Sequence, residues 1–294
     1  MKSTVSSYCK KASIKRCLEG FSIEITPRQA RKIQRFDNVE GLKPGTRVNV
    51  TSLPGSDHAE AITTCRQLSN AGMLPVAHVP VRAFPSLASL DGHFARLREA
   101  GVNDVLILAG SAPMPAGGVE NSIQLLESDL LSKHGFDSIA AAGHPEGHPM
   151  VPSAALDDAI SRKVEWWWKW TRRQDWRGAN GDAARALSPR LPWPPSSRPT
   201  SRPEQVAPAF HFETQFGFTA APVLAWEAQV RRRLERLRRA YFEGPAEELV
   251  QAAASSGSHF PLPTVRVGVA GPARRADLER FAAIRGSAPR RCIR

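Results

Sequence analysis

Several polar or ionisable side chains interrupt short apolar runs, and their types fit acid–base and cofactor chemistry. Glu24 stands between Ile23 and Ile25. A carboxylate in an apolar setting is costly unless it is paired or neutral, and such a setting raises its proton affinity and suits it to act as an acid. A structural carboxylate paired to an arginine is the plainer reading. Thr51 closes the run Val48–Val50, His78 lies inside Pro75–Val81, and Gln215 lies inside Phe212–Phe218. On its own, His78 is more simply a satisfied core histidine than a functional one. The segment AGHPEGHP brings His144, Glu146 and His148 close together. Two histidines four apart ligate zinc from a helix, and Pro145, Gly147 and Pro149 forbid that helix, so a metal site is not expected. A Gly/Pro-rich loop offering backbone amides to a phosphate or cofactor is the better reading. AGSAPMPAGG at 109–118 is a second backbone-exposing loop, neither a Walker loop nor a Rossmann fingerprint.

The elements that must position these residues alternate along the chain. Strands are expected at 21–27, 47–53, 75–81, 104–110, 138–144, 212–218 and 264–271. Helices are expected at 28–35, 59–71, 87–100, 122–133, 154–165, 222–241 and 273–284. Buried strands separated by helices imply parallel βαβ units, and seven of them point first to a single-domain (β/α)8 barrel, with a doubly wound sheet second. An eighth strand is not evident, so the barrel is expected to be open at its seam or truncated. In a barrel the chemistry belongs at the carboxyl ends of the strands, where Glu24, Thr51, His78, Ser111, His144, Glu146 and Gln215 fall.

The chain has 294 residues and a formal charge of +12. Residues 166–203 carry eight basic residues against two acidic ones, and 272–294 carry seven against two, so nearly all of the charge sits in two segments. The first also holds six of the seven tryptophans and the Pro/Ser/Arg stretch 188–205. An irregular, disordered insertion at about 166–210 is therefore expected between the fifth helix and sixth strand. Abrupt onset and lack of period are what an out-of-frame reading of a GC-rich gene would give there and in the last ten residues; a flexible surface insertion is the alternative. A bilayer span would need about 18 apolar residues, and no run approaches that. Cys9, Cys17, Cys65 and Cys292 show no paired spacing, and the amino terminus lacks an apolar signal core, so a cytoplasmic protein is expected.

In series, SIEITPRQARKI (22–33), VNVTSLPGS (48–56), PVAHVPVR (75–82), VLILAGSAPMPAGG (105–118), SIQLLESDLLSKHGF (122–136), AGHPEGHP (142–149), ETQFGF (213–218) and VRVGVAGPA (265–273) resemble the methylenetetrahydrofolate reductase family, in a bacterial branch. The likeness covers about residues 20–165 and 212–285. It implies a (β/α)8 barrel holding FAD, and reduction of 5,10-methylenetetrahydrofolate to 5-methyltetrahydrofolate by NADH or NADPH, within one-carbon and methionine metabolism. By position it implies that Glu24 is the acid that assists opening of the folate imidazolidine ring. It implies flavin contacts from Thr51, His78, Ala109, Gly110, Ser111, His144, Glu146 and Lys163. Gln215 would bond the pterin, and Phe218 would stack on folate or nicotinamide.

The chain departs from the family where many members have Arg-Gly-Asp after the fourth strand; here Ala109, Gly110 and Ser111 stand there. A related tetrahydrofolate-dependent methyl transfer, or another reductase on the same barrel, is the alternative that this favours. A third reading is a basic nucleic-acid-binding protein whose tryptophans stack on bases. It accounts for 166–203 and leaves the strands unexplained, so neither nucleic acid nor membrane is the expected partner. A homo-oligomer is compatible with the composition.

Overall fold

The computed structural model describes residues 20–53, 55–110, 119–178, 208–217, 220–242 and 262–269. They form two compact units, the first reaching Glu120 and including Ser132–Phe136, the second built from Asn121–Leu131 and from Asp137 onward.

The first unit contains β1 (Ser22–Ile25), β2 (Arg47–Val50), β3 (Leu74–Pro80) and β4 (Asp104–Leu108), with α1 (Pro27–Ala30), α2 (His58–Asn70) and α3 (Leu87–Glu99) between them. The strands pair in parallel and in chain order. Parallel partners point to the same side of a sheet, so alternation sorts the residues cleanly. Ile25, Val48, Val50, Ala77, Val79, Val105 and Ile107 share one buried face. Ser22, Glu24, Arg47, Asn49, His78 and Asp104 share the other. β1 ends sharply because Thr26 caps α1. Its Oγ1 accepts from Gln29 N at 3.1 Å, Gln29 Oε1 accepts from Thr26 N at 2.9 Å, and Pro27 takes the first helical position. The helix expected over 28–35 is thereby reduced to a single turn.

The second unit contains β5 (Ser138–Gly143), β6 (Ala209–Gly217) and β7 (Thr264–Val269), again parallel and in order, with α4 (Ser122–Glu127), α6 (Ser153–Gly178) and α7 (Ala220–Phe242). α5 (Leu130–His134) is separate from α4, so the single helix expected at 122–133 is two. Lys133 and His134 of α5 both bond Asp91 at 2.6 Å, which ties them to α3.

The helix expected at 154–165 is longer than the sequence reading made it. α6 runs on to Gly178, because Ile160, Val164, Trp167 and Trp168 continue one apolar stripe at helical spacing. Trp167 and Trp168 are buried, and the Trp167 indole donates to Pro208 O at 2.9 Å and lies 5.5 Å from the Phe210 ring. Abrupt composition hid this continuity. Residues 179–207, which carry most of the expected insertion, the expected helix 273–284 and the basic tail lie outside the described residues.

Both units are α/β with parallel strands in sequence order, and neither contains the order reversal that marks a doubly wound sheet. Among the described residues no helix is long and apolar enough to cross a membrane.

Candidate active site

In the first unit, Glu24, Thr51, His78, Ala109 and Gly110 fall at or near the carboxyl ends of four neighbouring strands. Glu24 pairs in register with Asn49, and Thr51 N donates to Ile25 O at 3.0 Å. The Thr51 hydroxyl also points back to Ile25 O, at 3.4 Å. His78 pairs with Leu106. The amino ends of the same strands are neutralised internally, since Arg47 and Asp104 form a buried ion pair at 3.1 Å.

Glu24 departs from its expected environment. It is exposed, as is Ile23 at 38%. Among the described strands β1 pairs only with β2. The apolar enclosure expected from its two isoleucine neighbours is not what the described residues provide. Asn49, beside it in register and 3% exposed, donates to Ser22 Oγ at 3.3 Å and belongs to the same polar row. Sequence reasoning passed over Asn49, although the alternation Arg47-Val-Asn49-Val-Thr51 announces it.

His78 is half-buried, with its Nε2 edge enclosed. Desolvation pushes its imidazolium down to about 4, and Nε2 is sequestered from water with no hydrogen-bond partner among the described residues. The expected satisfied core histidine is therefore not what is found. Ala109 O accepts from Arg82 N at 3.0 Å, and the Arg82 guanidinium donates to Glu120 O at 2.5 Å. Arg82 thereby ties both ends of the loop after β4 to β3, a role its sequence position did not reveal. Gly110 has φ +89, and a Cβ there would stand 2.9 Å from Pro80 Cβ, so both conformation and space require glycine. Ser111 lies outside the described residues.

In the second unit, His144 follows β5 directly. Gly147 N donates to His144 O at 3.0 Å, closing a turn with Pro145 at its second position and Gly147 at φ +78. The conformation is a turn, as the prolines require, and it presents Glu146 to solvent. His148 packs edge-on to His144 at 5.3 Å and accepts from Met150 N at 3.2 Å through Nδ1. Gln215 lies two residues beyond Glu213, which pairs in register with Ala142 on β5 and Arg266 on β7. His211 and Glu213 alternate with Phe210 and Phe212, so the first part of β6 carries a polar row like that of the first unit, and Gln215 falls where the register with β7 shifts between Glu213 and Phe216. His211, Glu213 and Arg266 were not singled out from sequence, though this two-residue period was there to read. Phe218 lies outside the described residues.

Lys163, in the third turn of α6, is 7% exposed and makes no hydrogen bond or ion pair among the described residues. Burial alone pushes its ammonium down to about 8. An isolated buried cation is a cost that the ligand-free chain carries without internal repayment. No protein-family model matches the chain.

Proposed function

We propose that this protein is a flavin-dependent reductase of 5,10-methylenetetrahydrofolate, using NADH or NADPH and acting in one-carbon metabolism. The architecture this reading implies is a (β/α)8 barrel, and the ordered parallel strands of both units support it. The observation that carries the reading is Lys163, a largely buried cation that no carboxylate answers among the described residues. An anionic group such as a dinucleotide phosphate would supply the missing countercharge. The unpartnered Nε2 of His78 supports the same conclusion, because a neutral ring nitrogen sequestered from water suits a polar cofactor edge. The residues therefore fit the group.

FAD, when bound, would supply the hydride chemistry between nicotinamide and folate. From the first unit, His78 would bond the cofactor, Thr51 and the backbone of Ala109 and Gly110 would contact it, and Gly110 would admit the loop to close approach. From the second, Lys163 would hold phosphate, and His144 and Glu146 would border the cofactor on their rigid turn. Gln215 would bond the pterin. Glu24 would hold the proton delivered to a folate ring nitrogen as the imidazolidine opens. Because Glu24 is exposed in the free chain, substrate laid over β1 would have to desolvate it, so its acidity would be set by substrate binding.

The same geometry would serve another anionic substrate on the same barrel, and Ala109-Gly110 in place of a charged loop favours that second reading. Of the tryptophans that the nucleic-acid reading invokes, Trp167 and Trp168 are buried and are not offered to bases.

The deciding experiment is a visible spectrum of the purified protein, followed by anaerobic reduction with NADH or NADPH and reoxidation with methylenetetrahydrofolate. Flavin bands that bleach and return are expected. Failure to retain added FAD would sink the proposal, and bleaching without folate-dependent return would favour the second reading. Glu24→Gln is expected to spare flavin reduction and abolish reoxidation by folate; equal loss of both steps would remove Glu24 from its role.

A further inference from the structure

Gly143 is the last residue of β5 and immediately precedes His144. A Cβ built on Gly143 would stand 2.7 Å from Cη2 and 3.1 Å from Cζ2 of Trp226. Carbon atoms do not approach so closely, so the indole rests on the glycine backbone itself. Glycine inside a strand commonly marks such a close approach. Trp226 lies in the second turn of α7 and meets Phe212 edge-on at 6.2 Å, with the ring planes at 90°. Phe212 is fully buried and pairs in register with Ala141.

Side chains alternate along β5, so position 143 faces the side that carries Phe212, whereas the polar row Ala142–Glu213 faces the other. The indole therefore backs the strand from its helix-packed side at the point where the chain turns into His144-Pro145-Glu146. α7 is also the helix that follows β6, which carries Gln215. One side chain thus joins the helix after β6 to the end of β5.

We infer that Trp226 is a positioning residue that sets where the His144–Glu146 turn stands, and that Gly143 is required so that the indole can reach it. Close-packed interiors transmit strain instead of absorbing it, so displacing the indole should shift the turn. The identity of the ligand affected rests on the proposed flavin reading; the contact and its effect on His144 do not.

The test uses the full chain, with two readouts: the imidazole proton signals of His144, identified by their loss in His144→Gln, and the affinity for added FAD. Gly143→Ala is expected to move the His144 signals in the ligand-free protein and to weaken FAD binding about tenfold or more. Trp226→Phe shortens the ring by its far edge, so Gly143→Ala combined with Trp226→Phe is expected to return both readouts towards the wild type. His144 signals unmoved by Gly143→Ala, or a double variant no closer to wild type than Gly143→Ala alone, would overturn the inference. If Gly143→Ala does not fold, Trp226→Phe decides by itself: displaced His144 signals support the contact and unchanged ones overturn it. A wild-type protein that binds no FAD defeats the flavin reading, while the His144 signals still decide the role of Trp226.

Discussion

β1 and α6 each carry an ionisable residue, and the fold treats the two in opposite ways. Glu24 is flanked by Ile23 and Ile25, yet it is exposed. Lys163 stands in a stretch of mixed polarity, yet it is buried with no partner among the described residues. The difference is one of neighbours. β1 has a described strand on one side, whereas α6 packs on α4 and α7 and on the strands beneath. Local sequence sets how apolar a segment is, but the number of elements laid against it sets how dry it becomes.

Removing the core that dries α6 should have the largest effect. Trp168 is fully buried, and Trp168→Ala is expected to cost about 4 kcal/mol in urea unfolding. Lys169→Ala, one residue on and exposed, should stay within about 0.5 kcal/mol. Equal effects would return 166–171 to the status of a foreign insertion.

Lys163→Met should act in the opposite direction, stabilising the ligand-free protein by about 3 kcal/mol at neutral pH. The sign follows from the folded ammonium titrating near 8 against 10.5 when unfolded. Between those values the unfolded chain binds more protons, so wild-type stability rises with pH and the advantage of Met fades across that window. The same substitution should abolish FAD retention. A destabilised Lys163→Met would mean that the cation has an internal partner.

The first unit holds its own dry titratable group. His93 is 2% exposed, with Nδ1 unpartnered among the described residues, and burial first, then His58, push it down to about 3. From pH 6.5 downward the unfolded chain protonates and the folded one resists, so stability falls as the medium is acidified. His93→Leu should flatten that acid limb, recovering about 3 kcal/mol at a pH near 4.5 measured against its own value at neutrality. An unchanged slope would assign the acid sensitivity elsewhere, His78 being the next group to test.

The smallest effects belong to β1. Glu24→Gln should change stability by less than about 0.5 kcal/mol, and Ile23→Ala by less than about 1 kcal/mol. A larger loss at either position would mean that β1 is covered on its second side in solution.

Much of this architecture was legible because two-residue and 3.6-residue periods are local properties. All seven expected strands occur, with ends shifted by a few residues. The largest miss, α6 beyond 165, came from reading composition where spacing should have been read: Val164, Trp167 and Trp168 keep helical period inside a run that looks foreign. The short α1 was missed because its stop depends on a reciprocal cap between Thr26 and Gln29, which competes with a longer helix. Asn49, His211 and Glu213 were legible in principle, since each stands in a strict alternation.

Sequence by itself determined the order of the elements, which residues share a face of each strand, and the turn at His144–Gly147, because covalent geometry and near-neighbour sterics suffice for these. Tertiary structure alone decided that Glu24 is exposed, that His78 Nε2 and Lys163 are desolvated without partners among the described residues, and that Trp226 closes on Gly143. Each of those outcomes depends on surfaces distant in sequence meeting or failing to meet, and burial energy is assigned only when they do.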